Sequence, residues 1–409
     1  MHNHTKYIIT TLLLAIITVF APDAQAATES ADTISPKAAS PKAIHHLGFD
    51  IRPAWIVPNK NFFKGLNESD KRLNKAVSAH LKYAFSFAQG SRQDRMFPDT
   101  YQGLGIGYNN FFDSNEIGTP ISVYVLQGSR IARLSRNLSI NYEWNFGASF
   151  GWKKYDEEAN PYNTVVGSSV NAFINLGIML SWQFARDWRL MAGIDISHFS
   201  NGNTSSPNAG VNTLGARIGV MHSFSAKDVA TAALPRINIK PHMSYDLVLY
   251  GAWRKRGIIT DDEKFMVPST FAVAGLNFSP MYNFCNNFCA GGSIDLQYDE
   301  SANIKYHVAS PDGSTQGEST RFYRPPFSES FAAGVSVRAE VVMPIFSVNI
   351  GIGHNVIYKG SDNSGFYQTV ALKTHITKSL FLHVGYRLID FHDPSNLMLG
   401  IGYRFHNKR

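Results

Sequence analysis

His198 and Ser200 stand two residues apart at the end of an alternating apolar run, in the segment His198-Phe199-Ser200-Asn201-Gly202-Asn203-Thr204-Ser205-Ser206-Pro207-Asn208-Ala209-Gly210-Val211-Asn212. In a strand, residues i and i+2 share a face. Counted from Ile194, the even positions are Ile194, Ile196, His198 and Ser200, whereas Gly193, Asp195 and Ser197 are small or polar. The base and the hydroxyl therefore point to the apolar side. Past the Gly/Asn/Pro turn, a second run sets Asn212, Leu214, Ala216, Ile218 and Val220 on one face and Thr213, Gly215, Arg217 and Gly219 on the other. Folded as a hairpin, the two runs are expected to bring Asn212 level with Ser200. A serine beside an imidazole, with a third polar group to orient the ring, is the set that acyl transfer requires.

The segment resembles the signature of the lipid A 3-O-deacylase (PagL) family, His-x-Ser-Asn, then Gly, then Pro-Asn-x-Gly, matched without a gap from His198 to Gly210. The resemblance extends over roughly residues 45–224. It implies that Ser200 is the nucleophile and His198 the general base, with Asn208 and the backbone near Asn201 and Gly202 as oxyanion-hole donors. The family's glutamate falls on Asn212, and a neutral amide can still fix a histidine tautomer. The implied protein is an outer-membrane serine esterase of a Gram-negative bacterium that removes fatty acyl chains from lipid A or lipopolysaccharide. No cofactor or metal is needed, and Ile196 and Leu214 would line the acyl path. The rival reading is a non-catalytic barrel, a porin or lipid-binding protein that keeps the motif's shape. Which acyl chain would leave, and the oligomeric state, stay open.

The elements that must position these residues read as β-strands. About sixteen short alternating or glycine-spaced runs recur from residue 45 to the C-terminus, with twelve to sixteen strands compatible with the pattern. An all-β, transmembrane antiparallel barrel accounts for them, as one large barrel or as two eight-stranded halves. Short connections such as Arg133 to Asn137 and Ala185 to Asp187 alternate with long ones, the parity of a barrel with both termini at the periplasmic end. That parity puts the His198 to Asn212 hairpin at the outer end. Two connections that should be short, Gln89 to Thr100 and Ser225 to Asn238, are not. Lys6, the apolar run Tyr7 to Phe20 and Ala24-Gln25-Ala26 read as a signal peptide over 1–26, followed by a disordered leader over 27–44. Residues 45–224 then form the half carrying the motif, and 225–409 supply further strands.

Composition agrees with this class. Aromatic residues make up 13% of the chain and glycine numbers 32, which suits strands that alternate across a bilayer better than a transmembrane helix, for which no run is long enough. The net charge of +7 favours acidic partners such as lipopolysaccharide phosphates; an exported chain has no expected nucleic-acid partner. Cys285 and Cys289 bracket a turn and are expected to form a small disulfide staple. Gly103 to Gly107 lacks nucleotide-loop spacing, and the acidic groups Asp156-Glu157-Glu158 and Asp261-Asp262-Glu263 read as solvated loops. Glu143 is either a substitute for the missing acid or a lumen salt-bridge partner. Ile352-Gly353-His354-Asn355-Val356 echoes the motif with Val356 in the serine's place, and reads as an interfacial histidine. If even positions face lipid, Asp195 and Arg217 lie in a polar, water-accessible lumen, and a charge at Ile194 should harm assembly more than charge reversal at Arg217.

Overall fold

A computed structural model describes residues 43–224, 235–260, 263–267, 269–307, 322–391 and 393–408; the signal peptide expected over 1–26 and nearly all of the leader expected over 27–44 lie outside the described residues. The chain forms two closed antiparallel barrels of eight strands each. The first comprises β1 (Ile44–Ile56), β2 (Lys75–Ser86), β3 (Thr100–Asn110), β4 (Gly118–Arg133), β5 (Leu138–Trp152), β6 (Val170–Gln183), β7 (Trp188–Ser200) and β8 (Val211–Phe224). β8 closes it by pairing with β1, from His45 opposite Phe224 to Ile56 opposite Thr213. The second begins with β9 (His242–Arg254), puts out a small hairpin, β10 (Gly257–Thr260) and β11 (Glu263–Met266), and continues through β12 (Phe271–Asn283), β13 (Phe288–Asp299), β14 (Phe331–Val342), β15 (Phe346–Ile357), β16 (Phe366–His375), β17 (Leu380–Ile389) and β18 (Asp393–Phe405). β18 returns to β9. The sixteen expected strands are thus all present, divided as two halves and not joined in one large barrel.

Closure gives each barrel strand a partner on both sides, which a bilayer demands because lipid offers no hydrogen-bond partners. Among the described residues no helix is long and apolar enough to cross a membrane; the strands do so. Their outward positions are apolar and exposed, as in Leu47, Phe49 and Ile51 of β1 or Ile194, Leu214 and Ile218 around the motif. Charged residues take the alternate positions. In the first lumen Arg217 lies 2.6 Å from Glu143 and 3.2 Å from Asp50, while Lys82 lies 2.9 Å from Asp50 and 3.2 Å from Glu143. Arg52 bridges Asp50 at 2.8 Å and Asp195 at 3.5 Å. In the second, Lys373 and Arg404 clamp Asp246 and Glu340 at 2.5–2.7 Å.

These lumens are packed solids. Eight strands leave an interior just wide enough for side chains to fill. Asp195 is 3% exposed and Arg217 fully buried, and the void beside Arg52, Asp195 and Ser197 holds only about 20 Å³. The expected water-accessible lumen is therefore corrected: Asp195 is locked in an ion-pair network, out of reach of soluble reagents.

The two anomalous connections join the barrels. Ser225 to Asn238 is part of the link between them; residues 225–234 lie outside the described set. Gln89 to Thr100 carries a short helix, Arg92–Met96, capped by Ser91, whose hydroxyl accepts from the Asp94 N–H. Met96 and Phe97 from this segment pack with Ile237 and Ile239 against Met281, Cys289 and Val342 at the inner end of the second barrel. Asn286 pins the arrangement, donating to the Met96 and Ile237 carbonyls at 3.2 and 2.5 Å and accepting from the Ile239 N–H at 2.9 Å. Cys289 is buried in that cluster and Cys285 lies in the β12–β13 turn; the two are not joined by the expected disulfide. The barrels also touch side to side. Trp144, pointing outward from β5, meets the Phe346 ring edge-on at 5.0 Å and donates to Met343 Sδ at 3.3 Å.

The ion-pair network reverses the expected order of two substitutions. Breaking a buried pair costs about 3–5 kcal/mol, and charge reversal at Arg217 would in addition place a fourth anion among Asp50, Glu143 and Asp195. A charge on the lipid face costs about 2–4 kcal/mol at the midplane and less toward the interface. Arg217→Glu is expected to abolish the heat-modifiable folded band on electrophoresis, whereas Ile194→Arg retains it. A folded Arg217→Glu protein with an unfolded Ile194→Arg protein would contradict this.

Candidate active site

β7 and β8 carry the motif at the outer end of the first barrel. Phe199 turns inward and is 3% exposed, wedged between the rings of Phe173 and Trp152, each 5.1 Å away, and against Phe111 at 5.8 Å. This anchor sets the pleat. With Phe199 inside, His198 and Ser200 must both face outward, beside the lipid-facing Ile194 and Ile196. The register differs by two residues from expectation, since Asn212 sits opposite His198 and not Ser200. Ser200 thus lies just beyond the ladder with β8, although β6 still pairs with it through Ala172.

That register puts the amide where an orienting group belongs. His198 Nδ1 and Asn212 Oδ1 are 2.7 Å apart. With Oδ1 facing the ring, Nδ1 carries the proton and Nε2 keeps its lone pair, the tautomer of a general base. Ser200 shares the face, but no hydrogen bond joins its hydroxyl to the ring. Catalytic hydrogen bonds commonly tighten only with substrate in place.

The loop between the strands is held from three sides. Asn201 is 6% exposed; its N–H donates to Asn208 Oδ1 at 3.0 Å, and its Nδ2 donates to the Ser205 carbonyl at 2.9 Å. Gly202 and Gly210 both have positive φ, +63° and +71°; at Gly210 a Cβ would in addition meet the Phe199 carbonyl at 2.7 Å and the His198 ring at 3.2 Å. From the β1–β2 loop, Asn59 Nδ2 donates to the Ala209 and Gly210 carbonyls at 2.6 and 3.0 Å. From the β5–β6 loop, Val165 accepts from the Gly210 N–H at 3.3 Å, and Val166 bridges Asn208.

Of the residues singled out in the sequence, the structure gathers His198, Ser200, Asn212, Asn201, Gly202 and Asn208 at one place, with Ile196 and Leu214 outward beneath them. It corrects the oxyanion set in one respect: the Asn201 N–H is occupied by Asn208. It also removes Glu143 from the site, because that carboxylate is enclosed in the lumen with Arg217, Lys82 and a hydrogen bond from Tyr101 at 2.8 Å. His354 faces outward on β15 against Phe366. Asn59 and the Val165–Val166 segment were not found by sequence reasoning; nothing local links an asparagine to a loop about 150 residues away.

Residues 78–221 match the family model of lipid A 3-O-deacylase (PagL), and residues 243–407 match that of the acyloxyacyl hydrolase C-terminal domain. The two matches together span well over half of the chain and fall on the two barrels in turn. The first barrel is thus similar to lipid A 3-O-deacylase (PagL) and the second to the acyloxyacyl hydrolase C-terminal domain. Among solved structures, the outer membrane enzyme PagL is similar at 14% identity, covering 42% of this chain and 97% of that one with a TM-score of 0.28. Neisserial surface protein A is similar at 10% identity, with 44% and 97% coverage and a TM-score of 0.31. No curated protein matches the chain. The motif hairpin lies wholly inside the first match.

The three-sided support of the loop gives a direct expectation. Removing the Asn59 amide leaves two carbonyls short of a donor, a loss of about 1–3 kcal/mol for buried groups. Asn59→Leu should speed amide exchange over residues 201–211 without changing exchange in β3–β5. Unchanged protection in the loop would show that Asn59 does not hold it.

Proposed function

We propose that the protein is an outer-membrane esterase that removes an ester-linked fatty acyl chain from lipid A, with Ser200 as nucleophile. The observation that carries this reading is the outward-facing His198–Asn212 pair at 2.7 Å, on the same face as Ser200 and directly above the apolar wall formed by Ile196 and Leu214. An ester just below lipid headgroups lies at that height, with its chain running down the wall.

In this mechanism Ser200 Oγ attacks the ester carbonyl while His198 Nε2 takes its proton. The Gly202 N–H and Asn208 Nδ2 receive the oxyanion, since Asn208 Oδ1 already holds the Asn201 N–H. His198 then returns the proton to the leaving sugar oxygen, and a water activated by the same nitrogen releases the fatty acid. Asn212 keeps the proton on Nδ1 throughout. A carboxylate there would also stabilise the imidazolium, because hydrogen bonds to charged groups contribute about 1.5–3 kcal/mol against about 0.5–1.5 kcal/mol for neutral ones. The reading keeps the reaction and assigns Asn212 a weaker version of the orienting role. The missing Ser200–His198 hydrogen bond and the amide at position 212 also suit a barrel that binds lipid A without cleaving it.

Purified full-length protein assayed on lipid A separates the two. Ser200→Ala and His198→Ala are expected to lower release of fatty acid by about a thousandfold or more while leaving heat-modifiable folding intact. Release at the wild-type rate by Ser200→Ala, or none from the wild type, would overturn the esterase. Asn212→Glu is expected to raise the rate by about tenfold, the equivalent of about 1.4 kcal/mol, and Asn212→Ala to lower it. Equal rates for all three residues at position 212 would place the orienting group elsewhere.

A further inference from the structure

The second barrel carries no serine at its own motif echo, yet it reaches the candidate site of the first. Leu397 lies on β18 between the inward Asn396 and Met398, each 1% exposed, and so projects outward. Its backbone belongs to the ladder with β17, where it faces Tyr386. A Cβ placed at Gly202 would meet Leu397 Cδ2 at 2.7 Å, Cγ at 2.9 Å and Cδ1 at 3.3 Å, with no atom nearer beyond its own chain neighbours. Gly202 is two residues from Ser200 and is buried, although it lies in a loop at the outer end. Two residues further on, the Lys255 N–H just past the end of β9 donates to the Thr204 carbonyl at 3.4 Å. β9 and β18 are the pair that closes the second barrel, so both contacts come from one seam.

The two barrels hold opposite ends of the motif loop. Asn59 and Val165 of the first grip it at Ala209 and Gly210, whereas the second supplies the contacts at Gly202 and Thr204. Gly202 is the position where such a hold matters most. A residue without a Cβ has the widest choice of backbone conformations, and here it keeps a φ of +63°. In the mechanism above its N–H receives the oxyanion, and a donor of that kind is effective only when its direction is set before the charge develops. A branched side chain packed against the Gly202 Cα narrows the backbone states open to it. Resting on the esterase reading above, we infer that Leu397 of the second barrel is a positioning residue for the reaction of the first, holding the Gly202 N–H in place for the oxyanion. It acts through Gly202 and touches neither the substrate nor the reacting atoms.

The test uses full-length protein and the butyryl ester of nitrophenol, whose short chain makes it a probe of the reacting centre. Removing one oxyanion donor outright lowers kcat by about 10²- to 10³-fold, so loosening one with Leu397→Ala is expected to lower it by about tenfold while KM stays within about twofold. Leu397→Met keeps the volume of the contact and should restore kcat to within about threefold of the wild type. Ile401→Ala, on the same face of β18 but away from the loop, should leave both constants unchanged. Gly202→Ala probes the contact from the other side. In the wild-type background its methyl meets Leu397; in the Leu397→Ala background that obstruction is gone, and the same substitution should cost about tenfold less in kcat, because residues in contact do not act additively. Folding is followed by heat modifiability, and Leu397→Val gives the same comparison if the alanine variant does not fold. Wild-type kcat in a folded Leu397→Ala protein, a change confined to KM, or equal losses from Gly202→Ala in the two backgrounds, with hydrolysis still dependent on Ser200, overturns the positioning role alone. Hydrolysis that survives Ser200→Ala, or its absence in the wild type on both this ester and lipid A, overturns the esterase reading and this inference together.

Discussion

The requirement that a strand in lipid satisfy its backbone within the sheet governs the whole molecule. It forces closure, and closure at eight strands leaves an interior that side chains must fill. Every alternate residue then has only two choices, packed lumen or bilayer. Charged residues take the lumen, where Asp50, Glu143 and Asp195 find Arg52, Lys82 and Arg217. The polar residues that point the other way stand out for that reason. His198, Ser200 and Asn212 cluster on an outward face, at the loop end where headgroups begin.

Packing inside the first barrel sets the directions of the motif residues. Phe199 is held in a ring of aromatic side chains, and its two neighbours inherit a fixed direction. Asn59, Val165 and Val166 hold the loop that follows.

Joining two barrels adds a surface that neither has alone. The contacts fall at three heights: the segment around the helix Arg92–Met96 at the inner end, the Trp144–Phe346 pair in the middle, and Leu397 against Gly202 at the outer end. Since strands in such barrels tilt strongly, a vertical line of contact crosses several of them, from β5 to the β7–β8 loop on one side and from β15 to β18 on the other. The seam leads to the motif.

The linear sequence was enough to locate the strands, the outward direction of His198 and Ser200, and the inward direction of Asp195 and Arg217, because a period of two is a local property that survives folding. It could also show that Gln89 to Thr100 was too long for a simple turn. It did not show what that segment binds, that sixteen strands close as eight and eight, or that Asn212 faces His198 and not Ser200. Closure depends on which distant strands meet, as β1 meets β8 and β9 meets β18, and pairing register depends on the loop's own conformation. The same holds for Glu143: its sequence neighbours allow either face, and only the cations brought from β2 and β8 decide for the lumen. Likewise Leu397 reads as one more alternating residue of a terminal strand. Its place beside Gly202 exists only once two closed barrels stand side by side, since nothing short of tertiary contact links positions nearly two hundred residues apart.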